Sequence, residues 1–404
     1  MTKSKLVIVA THPIQYHAPW YRELAQQDDV DLIVLFGMLP NAEQQSTGFG
    51  TTFSWDIPLT QSYQWQQLEN KSANPNLFGF SGVDCPGVHQ ALKALSPDAI
   101  IITGWHSKLL FQALWAAKRL GVKTIMRGES NAKKPRPWYI GIAHRLLLTR
   151  FHAFLAIGQS NRRFFLDNGV APESIFSAPY FIENQRFIND ASSEAASSEA
   201  AASEAAASDA AASDAAKPAR QLPSDDFCFV YAGKLILKKN VQELLSAFAL
   251  SYQVNQRIQM LIIGDGELRD ELEAYANKHR LPVSFFGFVN QKALPKTYSL
   301  GDCFVLGSDY DETWGLVVNE AMACGLPAIV SNRAGSSDDL IIEGKTGYVY
   351  QYGAPQELSE KMLLMAGDKA QAARMGQYAK EHVVDNFNVH ITVQATLGAL
   401  AFID

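Results

Sequence analysis

At 404 residues, 47% of them apolar, the chain exceeds one ordinary core and has the length for two α/β domains. Its formal charge is −6, yet Glu194, Glu199, Glu204, Asp209 and Asp214 all lie in one repeat, and without those five acids the balance is close to −1; such a chain is not a nucleic-acid binder. Cys85, Cys228, Cys303 and Cys324 show no CxxC or metal-ligand spacing, so reduced core thiols in a cytoplasmic protein are expected.

In chain order, Lys5–Thr11 is a short β-rich run whose five apolar residues, Leu6 to Ala10, fall far short of the apolar region of a secretion signal, so none is expected. The loop that follows, Thr11-His-Pro-Ile-Gln-Tyr-His17, offers His12, Gln15 and His17 as sugar contacts or acid/base groups, or as structural residues. Further strands are expected at Val30–Phe36, Asp98–Thr103, Lys123–Met126 and Ala153–Ile157, with helical segments between, an alternation that implies a parallel, doubly wound sheet. The loops carrying His106, Arg127 and Glu129 follow two of these strands, so these residues either read an acceptor or cap helices. Lys133–Tyr139 mixes cations with aromatics, which suits either a membrane-surface contact or a solvated loop. The apolar stretch from Trp138 to Gly158 holds His144, Arg145, Arg150 and His152 and should not span a membrane.

Residues 1–186 are thus expected to form one Rossmann-like domain and 223–386 a second. The 187–222 segment between them is low in complexity: Ala191 to Ala216 is built from Ala, Ser and acids, with an acid at every fifth position from Glu194 to Asp214. In a helix that spacing advances about 500° per acid and leaves only alanine as an apolar face, the mark of a spacer without a catalytic role.

The second domain opens with the strand Phe227–Ala232 and continues with Met260–Ile263, Val283–Phe286, Cys303–Leu306 and Ala328–Val330. Lys234, Lys238 and Lys239 come directly after its first strand, where α/β sheets bind ligands, and are phosphate candidates. Gly264-Asp-Gly266 imitates a dinucleotide fingerprint but has Arg269 at the third glycine position and no acid about 20 residues on, so no NAD site is expected. Glu312 and Glu320 are separated by seven residues, Thr-Trp-Gly-Leu-Val-Val-Asn, and Gly325 looks like a helix end. The helix therefore begins near Trp314 or Gly315, and the first-turn amides of Gly315, Leu316 and Val317 suit a diphosphate. Flanking carboxylates that accept from sugar hydroxyls make a nucleotide-sugar the better ligand.

This segment resembles the signature of the family 4 retaining glycosyltransferases, with Trp314 where Phe is usual, and the resemblance runs from Phe227 to about Tyr352 through Gly335 and Gly347. It implies a GT-B fold, two Rossmann-like domains facing a central cleft, with residues 387–404 as a C-terminal helix crossing back to the first domain. It places Glu312 by the donor sugar, Glu320 on the ribose, Lys234 and Lys239 on the diphosphate, the Gly264–Gly266 loop near the nucleotide, and the base at backbone groups of Phe288 and Val289. The chain departs from the family at Lys234, which stands for an Arg, at Pro13-Ile14, which replaces a Gly pair, at Met126-Arg127-Gly128, where a His is frequent, and at Gly335-Ser336 with Asp339 in place of Gly-Gly and Glu.

The expected activity is retaining sugar transfer from a nucleotide-sugar to a glycan or lipid-linked acceptor, in surface polysaccharide biosynthesis, at most peripheral to a membrane. No cofactor or metal is expected: Asp309-Tyr-Asp311 resembles a metal-binding acid pair but adjoins Glu312, and lysines with a helix start can neutralise the leaving group. The rival readings are a sugar-nucleotide epimerase or phosphorylase on the same plan and a non-catalytic nucleotide-sugar binder.

Overall fold

The computed structural model describes residues 3–192 and 226–404. The expected spacer therefore lies outside the described residues from 193 to 222, while its first residues end the helix Asn184–Ser192. The chain divides into two compact units.

The first unit comprises residues up to Gln45, Ile57–Tyr180 and Asn388–Asp404. Its sheet has seven parallel strands, β1 (Ser4–Ala10), β2 (Val30–Phe36), β3 (Gln64–Gln67), β4 (Ala99–Ile102), β5 (Lys123–Met126), β6 (Ala153–Ala156) and β7 (Ile175–Ser177), in the order β3-β2-β1-β4-β5-β6-β7. The central strands read as unbroken apolar runs because helices cover both faces, leaving Leu6 to Val9 and Ile100 to Ile102 with no solvent contact. The last helix, Val389–Ile403, packs in this unit: Trp20 Nε1 donates to Thr396 Oγ1 at 3.2 Å and Thr392 Oγ1 to the Pro179 carbonyl at 2.8 Å.

The second unit comprises Phe181–Phe387 and, unexpectedly from chain order, Ser46–Asp56. The boundary thus falls at Tyr180 and not at residue 186, because Asn184 donates to the Val383 and Phe387 carbonyls and Arg186 holds Gln291. Its sheet has six parallel strands, β8 (Phe227–Ala232), β9 (Ile258–Ile263), β10 (Val283–Gly287), β11 (Cys303–Leu306), β12 (Ala328–Ser331) and β13 (Gly347–Tyr350), in the order β10-β9-β8-β11-β12-β13. In each sheet the strand order reverses beside the first strand, between β1 and β4 and between β8 and β11. Ligands of open α/β sheets bind beyond the strand ends at such points. All four cysteines are unpaired, three of them buried. Among the described residues no helix is long and apolar enough to cross a membrane.

Candidate active site

In the second unit, the loops after β8 and β11 flank the reversal point, and each delivers one half of an ion pair. The Lys239 ammonium bonds the Glu312 carboxylate, with both side chains largely shielded. Ser308 Oγ donates to the same carboxylate at 3.1 Å. Burial alone would push the Glu312 pKa up, but the Lys239 charge and hydrogen bond, helped by Lys238 and Ser308, outweigh it and hold the group below its ordinary value. Glu312 is therefore ionised at neutral pH and cannot serve there as a proton donor. Lys238 is exposed, so Lys239 is the lysine that the fold aims at Glu312.

The helix Leu316–Ala323 starts beside this pair, with Gly315 at its N-cap at φ +100°. The expected C-terminal stop is present: Gly325 N–H donates to the Met322 carbonyl and Leu326 N–H to that of Ala321, both at close hydrogen-bond range. The Glu312 loop is clamped from the β12 side, where Gly335 N–H donates to the Glu312 carbonyl and Ser336 N–H to that of Trp314, each at 3.0 Å. A Cβ at Gly335 would lie 1.8 Å from the Thr313 carbonyl oxygen, so only glycine permits the approach. The Ser336 hydroxyl is buried, has no hydrogen-bond partner among the described residues and lies near Gly315.

Two expected donor contacts have protein neighbours in this structure. Gly264 and Gly266 face protein backbone: a Cβ there would lie 2.0 Å from the Gly233 carbonyl and 2.6 Å from that of Leu235. They lock the β8 and β9 loops together, while Asp265 ties down Arg269 at 2.8 Å. Glu320, the expected ribose contact, has no exposed surface; Tyr298 donates to one oxygen at 3.0 Å and Gln291 Nε2 to the other at 3.3 Å. Arg186 in turn grips Gln291 through its carbonyl and its side-chain oxygen, both at 2.7 Å. Asp309 Oδ1 accepts from the Asp311 backbone amide at 2.7 Å, a turn-forming role.

Lys234 donates to the Thr47 carbonyl at 2.7 Å. Burial, then the neighbouring Lys238 and Lys239, lower its pKa to about 8. Phe288 follows β10 with its ring half-buried, and Val289 is buried.

In the first unit, the residues expected from three separate loops form one cluster. His17 is buried, and burial, Arg127 and His12 bring its pKa to about 3. His12 accepts or donates at Thr11 Oγ1 at 3.0 Å, and burial with His106 brings it to about 4. Both imidazoles are neutral at pH 7. Arg127 is buried between the rings of Trp20 and Tyr180, 4.7 and 5.2 Å from their centroids, and donates to the Ala178 carbonyl at 2.9 Å; its Nε has no partner among the described residues. The Tyr180 hydroxyl donates to Glu129, which is exposed, as is His106; Gln15 is half-buried in the β1 loop. Trp20, Tyr21 and Tyr180, Ser308, Gln291 and Arg186 were missed from sequence, and Ser336 was noted only as a departure from the family motif. Tyr180 follows β7, a strand too short to recognise, and the other missed residues carry no motif.

Residues 213–382 match the family model of the glycosyl transferases group 1. Spore coat protein SA of Bacillus subtilis is 30% identical over 167 residues, 39% of this chain and 44% of that protein. The N-acetyl-alpha-D-glucosaminyl L-malate synthase of Bacillus anthracis is 32% identical over 152 residues, 37% of this chain and 38% of that protein. The chain thus spans less than half the length of these curated relatives. HepE of Anabaena, solved in complex with UDP and glucose, superposes with a TM-score of 0.69 over 98% of each chain at 18% identity. At that identity the likeness establishes the fold, the GT-B plan of two Rossmann-like units.

Proposed function

We propose that this chain, whose residues 213–382 match the glycosyl transferases group 1 family, transfers a sugar from a nucleotide-sugar to a hydroxyl of a glycan or lipid-linked acceptor, with retention of anomeric configuration as in family 4. The observation that carries this reading is the Lys239–Glu312 pair beside the start of the helix Leu316–Ala323, at the reversal point of the second sheet. The diphosphate is taken by the first-turn amides of Leu316 and Val317, by Lys239 and Lys234, and by the Ser336 hydroxyl. These groups stabilise the departing nucleoside diphosphate, so no metal ion is required. Glu312, held as an anion, accepts from the donor sugar's hydroxyls and fixes Lys239. Glu320 acts behind the ribose by positioning Tyr298 and Gln291. The His12, His17, Arg127 and Glu129 cluster serves the acceptor.

UDP, the nucleotide bound by HepE, is the first candidate base carrier. The role in surface polysaccharide synthesis rests on the family resemblance, and contact with a membrane surface rests on the helix Trp138–Leu148. That helix leaves Trp138 78%, Tyr139 57% and Leu146 61% exposed beside Arg145 and Lys134.

The test is to incubate the protein with UDP-, GDP- and ADP-sugars, with and without EDTA, and to measure released nucleoside diphosphate. Slow hydrolysis of one donor, undiminished in EDTA and lost in Glu312→Gln, is expected. Epimerisation of the sugar without nucleotide release, or release restored only by Mn²⁺ or Mg²⁺, would overturn the reading in its reaction type or its metal independence respectively.

A further inference from the structure

Ser46–Asp56 is part of the second unit, and its placement there is specific. Lys234 Nζ donates to the Thr47 carbonyl at 2.7 Å and lies 4.2 Å from the centroid of the Phe49 ring. Phe53 stacks on Phe288, with centroids 3.9 Å apart and ring planes at 20°. Phe49 and Trp55 close on Phe53 edge to face at 5.0 and 4.9 Å. Asn290 Nδ2 donates to the Ser54 carbonyl at 2.8 Å, and the Lys292 amide to Asp56 Oδ2 at 3.1 Å.

A nucleoside diphosphate presents a flat aromatic base at one end and phosphate oxygens at the other. Ser46–Asp56 presents a flat ring on Phe288 and an oxygen on Lys234, the same pair of chemical groups at the two residues where the resemblance puts the base, there beside the Phe288 backbone, and the diphosphate. Rings 3.9 Å apart are in direct contact, and a base inserted between them would need about twice that separation. We propose that Ser46–Asp56 is an internal ligand of the donor site, Phe53 standing where the base binds and the Thr47 carbonyl where a phosphate oxygen binds, so that Phe49 and Phe53 set donor affinity. This rests on the donor-site reading above.

The exchange has a favourable direction. A carbonyl is a weaker partner for an ammonium than a phosphate is, since the phosphate adds the attraction of a full negative charge to the hydrogen bond. The segment therefore weakens nucleotide binding without preventing it, by the fraction of molecules in which the site is self-occupied.

The experiment is calorimetric titration of UDP, GDP and ADP into the full chain and into Phe53→Ala and Phe49→Ala. The preferred nucleotide should bind both variants more tightly, by about tenfold for Phe53→Ala if the site is some nine-tenths self-occupied. In the unaltered chain, that nucleotide should also speed chymotryptic cleavage within residues 49–55. Affinity unchanged or weakened in both variants would overturn the inference, the second result making the rings part of the bound site. If no nucleotide binds any of the three proteins, the donor reading itself fails.

Discussion

At Glu312, two opposing effects set the protonation state. Burial alone would neutralise the carboxylate; a bonded lysine keeps it charged. Removing only the charge, as in Glu312→Gln, should leave the fold intact and lower turnover by about 10²-fold or more, measured as kcat with near-normal nucleotide affinity; turnover within a few-fold of the original would remove Glu312 from the mechanism. Lys234 makes a complementary test. Its pKa of about 8 in the folded chain lies below the ordinary lysine value of about 10.4, so its positive charge is present below pH 8 and lost above it. Nucleotide affinity should fall as pH rises from 7 to 9, and Lys234→Arg, charged throughout, should flatten that profile. A profile unchanged by the substitution would show that another group controls it.

Elements act here mainly by holding loops. The loop after β12 acts on Glu312 without touching its carboxylate: the Gly335 contact with Thr313 fixes where Glu312 stands. Gly335→Ala forces the two backbones apart and should cost roughly 1–3 kcal/mol in denaturant unfolding, with a larger proportional loss of kcat than Gly121→Ala, where a Cβ meets nothing within 4 Å; Gly121 sits at φ +72°, so this control carries strain but no clash. The helix Trp138–Leu148 makes a second element-scale prediction. Trp138, Ile142 and Leu146 recur at four-residue spacing on one face and are all exposed. Replacing the three by Ser should abolish flotation of the protein with anionic liposomes while leaving hydrolysis of the soluble donor unchanged. Flotation that survives the triple substitution would place the membrane contact elsewhere.

For the molecule as a whole, the buried histidines of the first unit predict an acid sensitivity. His12 and His17 have folded pKa values of about 4 and about 3, below the unfolded value of about 6.5. Between those limits the unfolded chain takes up protons that the folded chain refuses, so stability is fully present above pH 6.5 and declines as pH falls toward 4. Each histidine contributes at most about 1.4 kcal/mol per pH unit in that window. Urea unfolding followed between pH 7 and 5 should show the decline, and His17→Gln should make it shallower; an identical slope in the variant would mean that other groups govern it.

Much of the fold was legible because a strand covered on both faces must be apolar throughout. β2, β5, β8 and β11 were predicted with the bounds they have. β3 was not: Gln64-Trp-Gln-Gln67 is an exposed edge strand, with no apolar run to signal it. The Glu312–Glu320 segment was also legible, since a helix start requires particular residue types at particular offsets. Its two acids were read as a loop acid by the donor sugar and a helix-borne ribose contact; the fold adds their partners, opening Glu312 toward the β8 lysines and sealing Glu320 behind Tyr298 and Gln291. Local pattern by itself determined the alternation of strands and helices, the helix start and the lysines after β8, because each follows from neighbours within a few residues. Only the tertiary structure decided that Lys239 rather than Lys238 meets Glu312, that Gly264 and Gly266 serve packing, and that Ser46–Asp56 sits on Lys234 and Phe288. Those pairings join residues from 31 to more than 200 positions apart, and no local sequence pattern records which distant residues close packing will bring into contact.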